Sequence, residues 1–271
     1  MKWQSTIPLL FLPFIFSCKK ETEQADRRSN VTNPTDYLLV SQTWTGPTTD
    51  GLSYTLSYNN ENLLSDAVQI QWAGGSTANG DTTYYHFEYS GSLCREFKFT
   101  WHGSTALYIY EYNAKGLPTK VILNDSKTDW RACYYEYDPA DHLIKIIDSG
   151  QDLNFTYEFN YNDQGNPSSY IYRDFWANAS KKTEWPAYDD KVNYARAVNG
   201  LPPQSILSEN SAGFNVMRNN ALTFKYTSTG FINSTEIPYV FQDQLQYNDQ
   251  GLPTQITSGP WIITNTYVKF K

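Results

Sequence analysis

A short cassette recurs along this chain and constrains its fold more than any other feature. Alternating aromatic residues end in Tyr; then comes a turn, in its fullest form Asn, two further residues and Gly, and an apolar or polar residue that opens the next alternating run. Tyr112-Asn-Ala-Lys-Gly116-Leu-Pro-Thr, Tyr161-Asn-Asp-Gln-Gly165-Asn-Pro and Tyr247-Asn-Asp-Gln-Gly251-Leu-Pro-Thr are the fullest copies. Tyr58-Asn-Asn-Glu-Asn62-Leu63 and Tyr137-Asp-Pro-Ala-Asp141-His-Leu143 put Asn or Asp at the Gly position, Tyr226-Thr-Ser-Thr-Gly230-Phe231 keeps it, and Tyr89-Ser-Gly91-Ser-Leu93 is shorter by one residue. Gly, Asn and Asp reach the left-handed backbone most cheaply, so each cassette reads as a tight hairpin turn. The tyrosines at 89, 112, 137 and 161 are spaced by 23, 25 and 24 residues, the length of two strands and two turns.

Alternation assigns the faces. Tyr54, Leu56 and Tyr58 oppose Ser53, Thr55 and Ser57; Phe97, Phe99 and Trp101 oppose Glu96, Lys98 and Thr100; Phe155, Tyr157, Phe159 and Tyr161 oppose Asn154, Thr156, Glu158 and Asn160. With 22 Tyr, 14 Phe and 8 Trp against 2 Met, the composition also favours sheet. The expected fold is all-β: an antiparallel up-and-down meander of roughly 12–16 strands with one dry face. So large an apolar surface must curl into a barrel, fold into two layers, or face lipid as a transmembrane barrel. Alternating segments somewhat short of the ~9–11 residues of a membrane strand favour a barrel-like or two-layer sheet with its aromatics inside. The rhythm breaks near residues 174–220, where Pro186, Asp189-Asp190 and Asn199-Gly200 mark the start and stop of a short helix. This insertion reads as a plug or lid on one mouth of the sheet.

The cassettes resemble the YD or RHS-type repeat, in particular its degenerate form in Bacteroidota lipoproteins of unknown function with a predicted porin-like meander. The resemblance covers roughly residues 52 to 257. Long RHS toxin shells usually carry Arg after the Gly, whereas this chain has Leu117, Asn166, Phe231 and Leu252 there, so toxin encapsulation is not implied.

The N-terminus supplies an address. Residues 1–17 carry Lys2 and an apolar run, Ile7 to Phe16, interrupted by Pro8 and Pro13; it is too short for the ~20 residues of a spanning helix and reads as an export signal. Ile15-Phe16-Ser17-Cys18 resembles a bacterial lipobox, which implies a lipid on Cys18 and anchorage to a membrane. Lys19-Lys20-Glu21-Thr22-Glu23-Gln24 resembles the export tags of Bacteroidota surface lipoproteins and implies an outer-membrane, surface-exposed location. Residues 18–36 read as a polar tether, and residues 37–271 as a single β-repeat domain. Cys94 and Cys133 are then the remaining thiols. A disulfide between them is one reading; two intervening strands, at ~4.8 Å per strand, favour two buried free thiols.

Chemistry is sparse. The net charge of −7 gives no electrostatic reason to expect nucleic acid. His86, His102 and His142 lie in separate cassettes without metal-ligand spacing and read as surface residues; neither metal nor cofactor is expected. Asp189-Asp190 reads as a helix cap. Glu88, Glu111, Glu136 and Glu158 each precede a cassette Tyr and form a row on the polar face. Lys98, Lys120 and Lys145 across the ladder make that row a structural charge ladder, rather than a catalytic or calcium site. Trp72, Trp101 and Trp130 border the connections opposite the Tyr-Asn turns, where indoles stack on sugar rings or close an aromatic core. Asp81-Thr82-Thr83 resembles a short O-glycosylation motif of the Bacteroidota. The expected function is a non-enzymatic envelope protein binding an extracellular glycan or a protein partner; the alternative is a carboxylate-dependent glycan hydrolase.

Overall fold

The computed structural model describes residues 36–46, 50–72, 80–125, 131–149, 155–175, 177–198, 200, 217–230 and 235–270. The lipobox, tether and signal readings lie outside these residues, as does Trp130. Sixteen antiparallel strands run in chain order: β1 (Tyr37–Thr45), β2 (Gly51–Tyr58), β3 (Leu64–Trp72), β4 (Asp81–Ser90), β5 (Leu93–Trp101), β6 (Ser104–Tyr112), β7 (Pro118–Asp125) and β8 (Arg131–Tyr137). They continue as β9 (Leu143–Ser149), β10 (Phe155–Tyr161), β11 (Pro167–Asp174), β12 (Ala179–Val192), β13 (Asn219–Thr229), β14 (Thr235–Tyr247), β15 (Pro253–Ser258) and β16 (Trp261–Lys269). Each pairs with its neighbours in sequence, and β1 pairs with β16, closing a barrel.

The expected meander therefore closes rather than folding into two layers. The aromatic parity forms a large buried interior cluster, including Leu39, Leu56, Phe87, Phe97, Tyr110 and Ile256, and a smaller one around Trp185, Met217 and Ala221. A sixteen-stranded wall encloses a lumen that in porins of this strand number is a water channel. Here Tyr and Phe rings occupy much of it, as where Phe97 stacks on Tyr108 at 4.3 Å and on Phe87 at 5.5 Å.

The cassette turn works as its sequence implies and adds devices that pattern alone does not show. In the 113–117 copy Asn113 N–H donates to the Leu117 carbonyl and Gly116 N–H to the Asn113 carbonyl, both at 2.9 Å, while Asn113 Oδ1 accepts from Lys115 and Leu117. Asn62 (φ 58°) and Asp141 (φ 66°) take the left-handed backbone that Gly takes in the fullest copies. The apolar residue after the turn is buried, as at Leu63, Leu117, Leu143 and Leu252. Next, a β-bulge recurs: the register shifts between Ser57 and Tyr58, Glu111 and Tyr112, and Gln246 and Tyr247. The extra residue is Ser65, Thr119 or Thr254, whose hydroxyl donates at 3.2 Å to the carbonyl of Ser57, Glu111 or Gln246. Such bulges increase local twist and bend the strand, which suits a closing wall.

The cassette tyrosines staple neighbouring hairpins. Tyr58 donates to the Leu39 carbonyl at 2.6 Å, Tyr89 to Leu64 at 2.7 Å and Tyr161 to Leu143 at 2.8 Å; Tyr112 donates to Cys94. Burial pushes all four phenols up. The Tyr137 hydroxyl makes no such bond.

The helical insertion requires correction. Residues 179–192 are strand β12, and the only helical piece among the described residues is a 3-10 turn, Tyr194–Ala197. Pro186 falls at a register shift between Glu184 and Ala187, where a missing N–H is tolerated. Asp189 caps no helix. It accepts from the Asn220 backbone N–H at 3.0 Å and the Asn220 side chain at 2.9 Å, and Tyr247 donates to it, tying three strands together. The 3-10 turn itself is buried, with Tyr194, Ala195 and Ala197 in the interior cluster. Gly200 beyond it lies so close to Tyr89 that an added Cβ would sit 2.7 Å from the ring. The 3-10 turn and Gly200 thus pack inside the turn end of the barrel. Cys94 and Cys133 are buried and form no disulfide, as their strand separation favours; burial pushes the Cys94 thiol up to about 12.

Candidate functional site

The interior filling is uneven. Along β10–β16 and β1 it leaves a cavity of about 620 Å³, within the usual range for small-molecule sites. Its walls come from inward positions of those strands: Trp44 on β1, Tyr157 on β10, Tyr170 and Tyr172 on β11. Trp185 on β12, Phe224 on β13, Phe241 on β14 and Trp261 on β16 complete the aromatic lining. Phe224 and Phe241 stack at 4.6 Å across their strand pair, and Tyr170 meets Trp185 at 5.4 Å. At the turn end Asn193 and Tyr194 form the floor. At the hairpin-tip end Trp261 is 38% exposed and lies over Gly46, where a Cβ would come within 2.7 Å of the ring.

Polar groups are few. Asn193 and Asn220 are committed to the fold: Asn193 Oδ1 accepts from Ala195 N–H at 2.9 Å, and Asn220 Oδ1 accepts from Tyr194 N–H at 3.2 Å. Asp243 is the single carboxylate of the lining, and Lys181 the single cation. Burial raises the Asp243 carboxyl above the ordinary carboxylate range, and a hydrogen bond from Ser258 partly offsets that. Its Oδ1 has no hydrogen-bond partner.

The residues singled out from sequence lie elsewhere. Trp72 ends β3 over Gly51, where an added Cβ would meet its ring at 2.2 Å, and it does not line the cavity. Trp101 ends β5 at the same hairpin-tip end, 48% exposed with its ring edge-on to His102. Both therefore border the tips, as their spacing implies, but the cavity indoles are Trp44, Trp185 and Trp261. Parity along single strands identifies these three as inward; that they share one space depends on β1–β16 closure, which no local pattern states.

The carboxylate row behaves as the expected ladder. On the outer wall Lys98 pairs with Glu96 at 2.9 Å and Glu88 at 3.6 Å, Lys120 with Glu111 at 3.6 Å, and Lys145 with Glu158 at 4.0 Å. Glu136 sits directly opposite Lys145 in register. His86 pairs with Asp66 at 2.7 Å, His102 with Asp81 at 3.3 Å and His142 with Asp138 at 2.9 Å, each in a different place. Among the described residues no cluster of His, Cys, Asp and Glu could hold a metal.

No family model and no curated protein matches the chain. Among solved structures it is similar to a porin-like protein from Bacteroides uniformis, at 13% identity and a TM-score of 0.56, covering 85% of this chain and 98% of that one. A porin-like protein from Bacteroides vulgatus aligns at 10% identity and a TM-score of 0.43, covering 86% and 99%. The first likeness shows a shared barrel fold.

Proposed function

We propose that this chain is a non-enzymatic envelope protein, held at the outer membrane by a lipid on Cys18 and exposed at the cell surface, that takes an extracellular glycan into its barrel. The aromatic cavity carries this reading. Its volume falls within the range of small-molecule sites, and aromatic rings suit the C–H faces of sugars. The charged outer wall supports a barrel in water rather than in lipid, since each Lys or Arg facing the bilayer midplane costs about 2–4 kcal/mol. A hydrolase generally needs two carboxylates flanking the scissile bond; one carboxylate in the lining supports binding without turnover.

Titrating the purified protein with a panel of soluble glycans, and following indole fluorescence, tests the cavity. A saturable change that Trp261→Ala weakens at least tenfold is expected. No response to any glycan, or a response unaltered in Trp261→Ala, sinks the reading. Metabolic labelling with a tagged fatty acid tests the anchor: label should enter the wild type and not Cys18→Ser.

A further inference from the structure

Asp243 narrows the chemistry of the occupant. It reaches the lining from β14, between Phe241 and Leu245 on the same inward parity, and shares that lining with Trp44 and Trp261. Among the described residues no Lys, Arg or His pairs with it, its hydrogen-bonding side-chain neighbour is the neutral Ser258, and Oδ1 is left without a partner. Lys181, on the same lining, is engaged in interactions of its own. An ionised carboxylate withdrawn from water without a counter-charge is costly, and truncated or absent partners leave that cost standing. Aromatic faces around it attract cations through their ring quadrupoles. A carboxylate and indole rings converging on one space is therefore complementary to an organic cation, more than to a neutral or acidic group.

We infer that the cavity prefers a ligand bearing a protonated amine, such as a sugar chain with free amino groups. Asp243 supplies the counter-charge, and Trp44, Phe241 and Trp261 supply the walls. This rests on the reading of the barrel as a glycan-binding module, and it names which glycans.

The test compares two probes with one scaffold: the trimer of glucosamine, cationic at neutral pH, and its fully N-acetylated form, which is neutral. Both are titrated into the full-length protein at low ionic strength, with calorimetry and indole fluorescence as readouts. The amine trimer should bind at least tenfold more tightly than the acetylated one. Asp243→Asn, which keeps the shape of the side chain, should abolish that preference, so that the two trimers bind the variant with equal affinity. Equal wild-type affinities, tighter binding of the acetylated trimer, or a preference that survives Asp243→Asn overturns the inference. In those cases neutral-glycan binding still upholds the module, whereas silence toward both trimers and the wider glycan panel removes the module along with it.

Discussion

One closed wall encloses two different interiors. Along β2–β9 the inward rings stack against each other, with Phe87, Phe97 and Tyr110 each 4% exposed or less. Along β10–β16 and β1 the same kind of inward aromatic residue borders an unfilled space. The difference follows the regularity of the cassettes. Strands β5–β9 are 7–9 residues long, whereas β12, β13 and β14 run to 14, 11 and 13 residues, with three register shifts between β12 and β13. Those lengthened, irregular strands are among the ones that line the cavity. A barrel of this strand number is filled only where its sequence supplies enough bulk, so an aromatic face is compatible with either core or site.

The largest expected effect tests that contrast directly. Phe97→Ala should cost about 3–5 kcal/mol in chemical denaturation, because neighbouring rings cannot collapse into the gap. Trp261→Ala, removing a larger but partly exposed ring, should cost about 1–2 kcal/mol. Equal costs would mean that the two interiors are packed alike.

A smaller effect concerns the staples. Tyr112→Phe deletes a hydroxyl that donates to the Cys94 carbonyl and should cost about 1 kcal/mol. Tyr137→Phe deletes a buried hydroxyl without a partner and should be neutral or slightly stabilising. Thermal denaturation of the two variants side by side decides this, and a cost for Tyr137→Phe matching that of Tyr112→Phe would break the distinction.

The smallest effect belongs to Asp243. Its carboxyl is raised by burial, so the folded state holds the proton more firmly than the unfolded chain. That contribution is full below the unfolded value of about 3.9 and is lost as pH rises through the folded one. Asp243→Asn should therefore flatten stability against pH in the mildly acidic range and gain under about 1 kcal/mol at neutral pH. An unchanged pH profile would show that Asp243 does not contribute to it.

Much of this was readable along the chain because it is local. The Tyr-Asn-x-x-Gly spacing contains its turn, the positive φ at Asn62 and Asp141 follows from residue type, and the Glu–Lys ladder follows from cross-strand register. The bulge in Gly-Leu-Pro-Thr breaks the alternation, since Pro118 and Val121 are both buried three residues apart, but an offset so near the turn is not separable from the turn itself by pattern alone. Pro186 with Asp189-Asp190 imitated a helix start, because capping signals are short and Asp189 satisfies cross-strand partners 31 and 58 residues away. The cavity was least legible: Trp44 and Trp261 meet only when the first strand finds the last.

That last pairing also fixes a direction. Chain entry and exit lie side by side, where Phe270 N–H donates to the Asp36 carbonyl at 3.1 Å. Tyr58 of the first cassette reaches Leu39 close by, so this junction sits at the Tyr-Asn turn pole. Under the lipid anchorage proposed at Cys18, the leash would join the barrel at that pole, leaving Trp261 at the lip of the pole away from the attachment point.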